Sequence, residues 1–191
     1  IKFKKNKTMK NKGCLSAGTL GIGLVVIIAL LLLWGVPTYN KFVSLDEKVT
    51  TKWSNVETVY QKRANLIPNL ERTIKSYSKF EQETLTKVVE ARSKATSINI
   101  DPTNMTEADM AKFQAAQGEL TGALSRLMAV VESYPNLKAD QQYLNFQREY
   151  TAIENSIRSE TVYFNDAAQD YNTTIKTFPN NILANFTNFK E

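Results

Sequence analysis

Side chains able to do chemistry are scarce in this chain, and what is missing narrows the function more than what is present. There is no histidine, and the one cysteine is Cys14. That removes the imidazole general base, the Ser-His and Cys-His nucleophile pairs and the common zinc sites, all of which draw on histidine or several cysteines. Two carboxylate pairs, Glu81 with Glu83 and Asp166 with Asp170, have the residue type a hydrolase uses. Neither stands beside a partner motif, so both read as solvated helix faces. No glycine-rich phosphate loop interrupts the sequence. The expectation is therefore a protein with no catalytic residue, no cofactor and no metal ligand.

The remaining polar candidates lie on apolar stripes. Arg63, Gln117 and Glu160 occupy positions where the surrounding spacing calls for hydrophobic residues. A buried charge is costly unless paired, so one reading makes Arg63 and Glu160 an interior ion pair that fixes helix register. The other puts them at the stripe edge with their heads in water. Asn65 and Asn69 flank Pro68, where backbone groups freed by the imino acid need partners, and they read as caps for those groups. Tyr60, Tyr77, Tyr143, Tyr150, Tyr163 and Tyr171 fall at helical spacing and read as core residues with wetted hydroxyls.

The elements that must position these side chains are helices. From Tyr39 to Ala95 the residues Phe42, Val49, Val56, Tyr60, Ile67, Leu70, Ile74 and Tyr77 recur three or four apart, with Trp53 and Arg63 on the same stripe. Unbroken, this stretch would make a rod of roughly 85 Å. Pro68 predicts a kink, with the stripe continuing in register beyond it. A loop over 96–105 contains Asp101-Pro102, and Thr106 with Asp109 has the form of a capping box. A second rod carries Phe113, Gln117, Leu120, Leu124, Leu127, Val131 and Tyr134, and stops at Pro135. A third starts near Lys138, carries Tyr143, Phe146, Tyr150, Ile153, Ile157, Phe164, Ala167 and Tyr171, and ends at Phe178-Pro179. A short amphipathic helix follows within 180–191. The fold class is all-α: a transmembrane helix, then an elongated up-and-down antiparallel bundle of three long helices, the first kinked at Pro68, plus a short C-terminal helix.

The membrane helix is the plainest element. From Leu15 through Leu24 and Leu33 to Val36, 22 positions carry no charge, enough to cross a hydrocarbon core of about 30 Å. A cleaved signal peptide fits less well, because the run exceeds a signal h-region and Trp34 to Tyr39 holds no small-x-small site. Trp34 and Tyr39 suit an interfacial anchor, and Pro37 suits the opening of a new helix. Ala17 with Gly21 and Thr19 with Gly23 have the spacing that lets two membrane helices approach closely. Cys14 precedes the run, unlike a lipoprotein cysteine. The domains expected are a basic tail (1–14), the span (15–36) and a helical bundle (37–191).

Charge sets the orientation. The sequence pI is about 9.2 and the net charge +5, which invites a nucleic-acid reading. Six lysines, from Lys2 to Lys12, account for it: the 18 remaining Lys and Arg face 19 Asp and Glu. No nucleic-acid partner is expected. The six lysines place the N terminus in the cytoplasm and the bundle outside, in a periplasmic or extracellular position. A start at Met9 would leave Lys10 and Lys12 against Lys41, Lys48 and Lys52, and would reverse that count.

Several blocks together resemble the LemA family. One runs from Lys62 to Leu70 and holds Arg63, Asn65, Leu66, Ile67, Pro68, Asn69 and Leu70. The others are Glu90 to Arg92, Leu124 to Leu127, Glu132 to Ala139 with Tyr134 and Pro135, Tyr171-Asn172, and Phe178-Pro179 with the residues up to Ile182. The residues before Met9 and the end at Glu191 depart from the family pattern. The resemblance implies a helical bundle anchored by a single pass in a bacterial cytoplasmic membrane, and it implies no catalytic residues. It hints at scaffolding, since one family member is implicated in forming magnetosome membranes and family genes often lie beside membrane-protease genes. The expected partners are the lipid bilayer, further copies of the chain, and another membrane protein or protease. The function expected is a non-enzymatic scaffold, with an accessory subunit of a membrane complex as the alternative.

Overall fold

The computed structural model describes residues 17–77, 80–102 and 105–190, with side chains from residue 21 onward. Leu15, Cys14 and the lysine-rich tail lie outside the described residues, as do the side chains of Ala17 and Thr19. Six helices are described: α1 (Ala17–Lys75), α2 (Gln82–Ser97), α3 (Glu107–Val131), α4 (Pro135–Lys138), α5 (Gln141–Lys176) and α6 (Asn180–Thr187). No strand occurs among the described residues.

The first helix is one piece of 59 residues, about 88 Å at helical rise. Its apolar N-terminal part meets nothing else in the described chain: Ile22 is 68% exposed, Leu33 74% and Val36 54%. Pro37 lies inside α1. The expected new helix there is not seen, and the expected boundary between 36 and 37 falls within a continuous element.

From Phe42 onward the stripe turns inward. Phe42, Trp53, Val56, Ile67, Leu70 and Ile74 are buried, as their spacing predicts. The helix also runs through Pro68 and ends at Lys75. There the Ser76 hydroxyl and amide both donate to the Thr73 carbonyl, at 2.7 and 3.3 Å, and the Tyr77 amide donates to Ile74 at 2.9 Å. These i→i−3 bonds tighten the last turn and end the helix. The expected long rod is thus two helices, with its break after Lys75, and α1 runs through Pro68 without ending there. α2 then folds back along α1.

Thr106 caps α3 as expected, its Oγ1 accepting from the Asp109 amide at 3.1 Å. Asp140 caps α5 by accepting from the amides of Gln142 and Tyr143 at 2.7 and 3.2 Å. α5 returns antiparallel to α1: Tyr77 meets Asp140, Arg63 meets Glu154 and Lys48 meets Asp170. Four helices, α1, α2, α3 and α5, therefore pack up-down-up-down at the distal end. Nearer the apolar run only α1 and α5 continue, and α6 lies on them.

The core divides along this axis. The distal cluster joins Ile67, Leu70, Ile74, Val88, Leu120, Leu124, Leu127 and Tyr143 among others. A middle cluster holds Trp53, Val56, Ile100 and Phe113, closed by edge-on rings at 5.1–5.2 Å: Trp53 with Phe113 and Phe164, and Tyr60 with Phe113. A third, near the apolar run, holds Phe42, Tyr171, Ile175 and Ala184. Val59 and Leu85, which lie beside the main stripes in sequence, are core residues, so they widen the interior.

Candidate functional site

Between the distal and middle clusters the core is polar, and its centre is Arg63, only 2% exposed. Its stripe position on α1 carries it inward, where a guanidinium needs acceptors on every side. Three helices supply them. From α3, the Thr121 hydroxyl lies at 2.8 Å, Gln117 Oε1 at 2.6 Å and the Gln117 carbonyl at 3.2 Å. From α5, Glu154 Oε1 lies at 2.9 Å and supplies the countercharge. From α1 itself, the Tyr60 ring faces the guanidinium at 5.0 Å. Gln117 passes the connection on, its amide donating to the Ala95 carbonyl of α2 at 3.3 Å. One side chain on α1 thus ties all four distal helices together.

Arg63 is a buried ion-pair residue, but its partner is Glu154, not Glu160. The two acids lie six residues apart on α5, about 9 Å along the axis, which is beyond the reach of one guanidinium. Glu160 keeps one buried carboxylate oxygen without a hydrogen-bond partner among the described residues. Tyr150, one turn before Glu154, lies beside the same pair. Burial and the neighbouring Glu154 carboxylate push its phenol up to about 12. Tyr60 is raised in the same direction, chiefly by burial.

A second cluster forms one turn further along α1. Pro68 has no N–H, so the Ala64 carbonyl lacks its helical donor. Arg92 of α2 replaces it, its Nε donating to the Ala64 oxygen at 2.9 Å. The proline is thereby tolerated within the helix, and the vacated acceptor becomes a docking point for α2. Asn65 and Asn69 do not serve as caps. Both are exposed; Asn65 accepts from Gln61 at 3.1 Å, and Asn69 pairs with Arg72. Arg92, which sequence reasoning placed only in a signature block, does that work.

The other sequence-marked residues fall apart spatially. Leu66 is half-buried against the distal cluster, while Ile67 and Leu70 are inside it. Tyr134 packs on Phe80 with ring centroids 5.1 Å apart, and Pro135 opens α4. Tyr171 is in the cluster nearest the apolar run, its hydroxyl donating to the Lys190 carbonyl at 2.8 Å, with Asn172 half-buried beside it. Phe178 and Pro179 form the turn into α6. Gly21 and Gly23 have open space around them. Glu81, Glu83, Asp166 and Asp170 are exposed, as their sequence context predicts.

Beside Gln117 an open groove of about 540 Å³ lies between α1 and the α2–α3 loop, lined by Glu57, Tyr60, Asn65, Ile98, Asn99 and Phe113 among others. Burial raises Glu57 there, with the Trp53 indole and the Ile100 backbone opposing the shift. No group of three or more metal-ligating side chains occurs among the described residues. The terminal nitrogens of Arg63 donate to acceptors on α3 and α5 and the guanidinium faces Tyr60, while its Nε is buried without a hydrogen-bond partner among the described residues. Chemically the cluster is suited to fixing helix register.

A family model for the LemA family matches residues 52–191, which covers both arginine clusters, all of α2 to α6 and most of the bundle part of α1. Magnetosome protein MamQ 2 of Paramagnetospirillum magneticum is 28% identical over 186 residues, covering 88% of this chain and 67% of that protein. Magnetosome protein MamQ of Magnetospirillum gryphiswaldense matches with the same identity and coverage. Protein LemA of Metamycoplasma hominis is 28% identical over 145 residues, or 76% of this chain and 63% of that protein. With the family model matching most of its length, from 52 to 191, the chain belongs to the LemA family.

Proposed function

We propose that this protein is a non-enzymatic scaffold, held in a bacterial cytoplasmic membrane by the apolar part of α1, that assembles with further copies of itself and organises membrane partners. The observation that carries this reading is the continuity of α1. An exposed apolar segment of spanning length runs without a break through Pro37 into the buried stripe of the bundle. A helix of this kind transmits the position of a membrane anchor to a rigid rod. The N terminus is placed in the cytoplasm and the bundle outside, following the flanking lysines. Membrane-helix pairing is assigned to Ala17, Thr19, Gly21 and Gly23. The relatives named as magnetosome proteins support an architectural role, because that name denotes a structure and no reaction.

The test is extraction of the full-length protein at natural expression level in mild detergent or native lipid particles, followed by native mass spectrometry and electron microscopy. A ring, cage or other homo-oligomer is the expected result. A single copy bound stoichiometrically to a protease or other membrane protein would replace self-assembly by an adaptor role.

A further inference from the structure

α6 leaves one face uncovered. Leu183, Ala184 and Phe189 turn toward α1 and α5, whereas Ile182, Asn185 and Phe186, at helical spacing, face outward. Phe186 is 86% exposed, and Phe178 in the preceding turn 76%. Two large aromatics this open, in a segment from Thr177 to Phe189 that carries no charge, do not form a typical aqueous surface.

The place of α6 along the rod identifies what covers them. Asn188 ends α6 in the left-handed conformation, at φ 62°, which brings Phe189 back onto α1. Its ring contacts Tyr39 at 5.7 Å and Phe42 at 5.5 Å. Tyr39 is three residues beyond Val36, the last residue of the apolar run, and Phe42 six, so they stand about 4.5 and 9 Å further along the helix. The interfacial layer on each side of the hydrocarbon is about 5–7 Å thick. α6 is therefore fixed at the level where a membrane-crossing α1 enters the headgroups. Amphipathic helices lie at this depth with aromatics toward the acyl chains.

We propose that the outer face of α6, with Phe178 and Phe186 as its anchors, inserts into the interfacial layer of the leaflet from which α1 emerges. The occupant is lipid, and the protein grips its membrane at two points, one spanning and one lying in the surface. This inference rests on the reading of α1 as a membrane span.

The experiment uses the full chain with Cys14→Ser and one new cysteine at a time, labelled with an environment-sensitive fluorophore and reconstituted into phosphatidylcholine–phosphatidylglycerol vesicles containing lipids brominated on their acyl chains. Labels are placed by Ile28→Cys in the apolar run, Asn185→Cys on the outer face of α6 and Leu144→Cys at the distal end of α5. Quenching by lipid at 28 and 185, with none at 144, is expected. Adding Phe178→Ser and Phe186→Ser should lower quenching at 185 severalfold and leave 28 unchanged. Quenching at 28 without quenching at 185 overturns the proposal while leaving the anchor intact, and so does quenching at 185 that the serine substitutions do not alter. A label at 185 shielded from aqueous iodide but untouched by lipid would show a second copy on this face, again overturning it. Loss of quenching at both 28 and 185 would remove the spanning reading and this inference together.

Discussion

The distal and proximal halves of the rod close the same kind of stripe in different ways. Beyond Arg63, α1 is surrounded by α2, α3 and α5, and Leu120, Leu124, Leu127, Val131 and Leu137 are fully buried. Below Trp53 only α5 and the eight-residue α6 cover it, and the buried cluster is four residues. Fully burying an aliphatic side chain contributes about 1.5–3 kcal/mol, so most of the stabilising area lies at the far end. The heptad pattern does not register this difference, because periodicity reports that a face is covered and not by how many helices. The distal core is thick and locked by a polar cluster. A thin proximal pair relies on what adjoins it.

The sharpest way to break the comparison is at Arg63. Arg63→Ala removes the hub for Glu154, Thr121 and Gln117 and leaves Gln117 buried with lost partners. Breaking a buried pair costs about 3–5 kcal/mol, and the low end is expected because Glu154 is 29% exposed and regains water. Urea denaturation of the detergent-solubilised chain, followed by far-UV circular dichroism, should show the distal transition shift by that amount. A transition like that of the parent would mean the four helices do not depend on this cluster. Next comes a matched pair of truncations. Leu124→Ala is expected at the upper part of the ~2–5 kcal/mol range for such changes, and Ile175→Ala at the lower part. Leu124 is enclosed by rigid neighbours, whereas the thin shell around Ile175 can collapse. Equal losses would mean the two halves are equally well packed.

Arg92→Ala comes third. It strands the Ala64 carbonyl opposite Pro68, at a cost of about 1–3 kcal/mol. The double variant with Pro68→Ala restores an N–H donor to that carbonyl, so it should recover part of the loss. Recovery separates the replacement of a missing backbone donor from simple packing of the arginine stem.

Much of this arrangement was legible in the sequence, and the exceptions have physical causes. The stripes of α3 and α5, the Thr106 cap and the short C-terminal helix follow from spacing and turn chemistry. The end of α1 after Lys75 did not, because Ile74, Leu85, Val88 and Ala91 face one core from two helices and the 3-4 spacing passes through the turn without a break. The ion pair was half legible. Arg63 on an apolar stripe required an acid, but Glu154 and Glu160 both lie on α5, and only the register of α5 against α1 chooses between them. Register is a tertiary property. The signal that would have found Arg92 is the missing amide at Pro68, which asks for one donor from outside the helix, and asparagines adjacent in sequence point along the helix surface instead.

The smallest effect concerns pH, and it sharpens the same contrast. Tyr150, next to the Arg63–Glu154 pair, has its phenol held at about 12, above its ordinary value of 10. The folded state thus keeps a proton that the unfolded chain releases between these values. The stabilisation is fully present below pH 10 and is lost as pH rises through about 12. Denaturation midpoints measured across this window should fall for the parent and fall less steeply for Tyr150→Phe, with tyrosinate absorbance reporting the ionisation directly. Tyr171 in the proximal cluster is also raised by burial, with Asp46 adding to it, but it lies away from the Arg63–Glu154 pair. Tyr171→Phe should therefore change the alkaline slope less than Tyr150→Phe. If the two substitutions flatten the profile equally, burial alone sets both phenols, and the Arg63–Glu154 cluster adds nothing specific to the alkaline stability of the distal half.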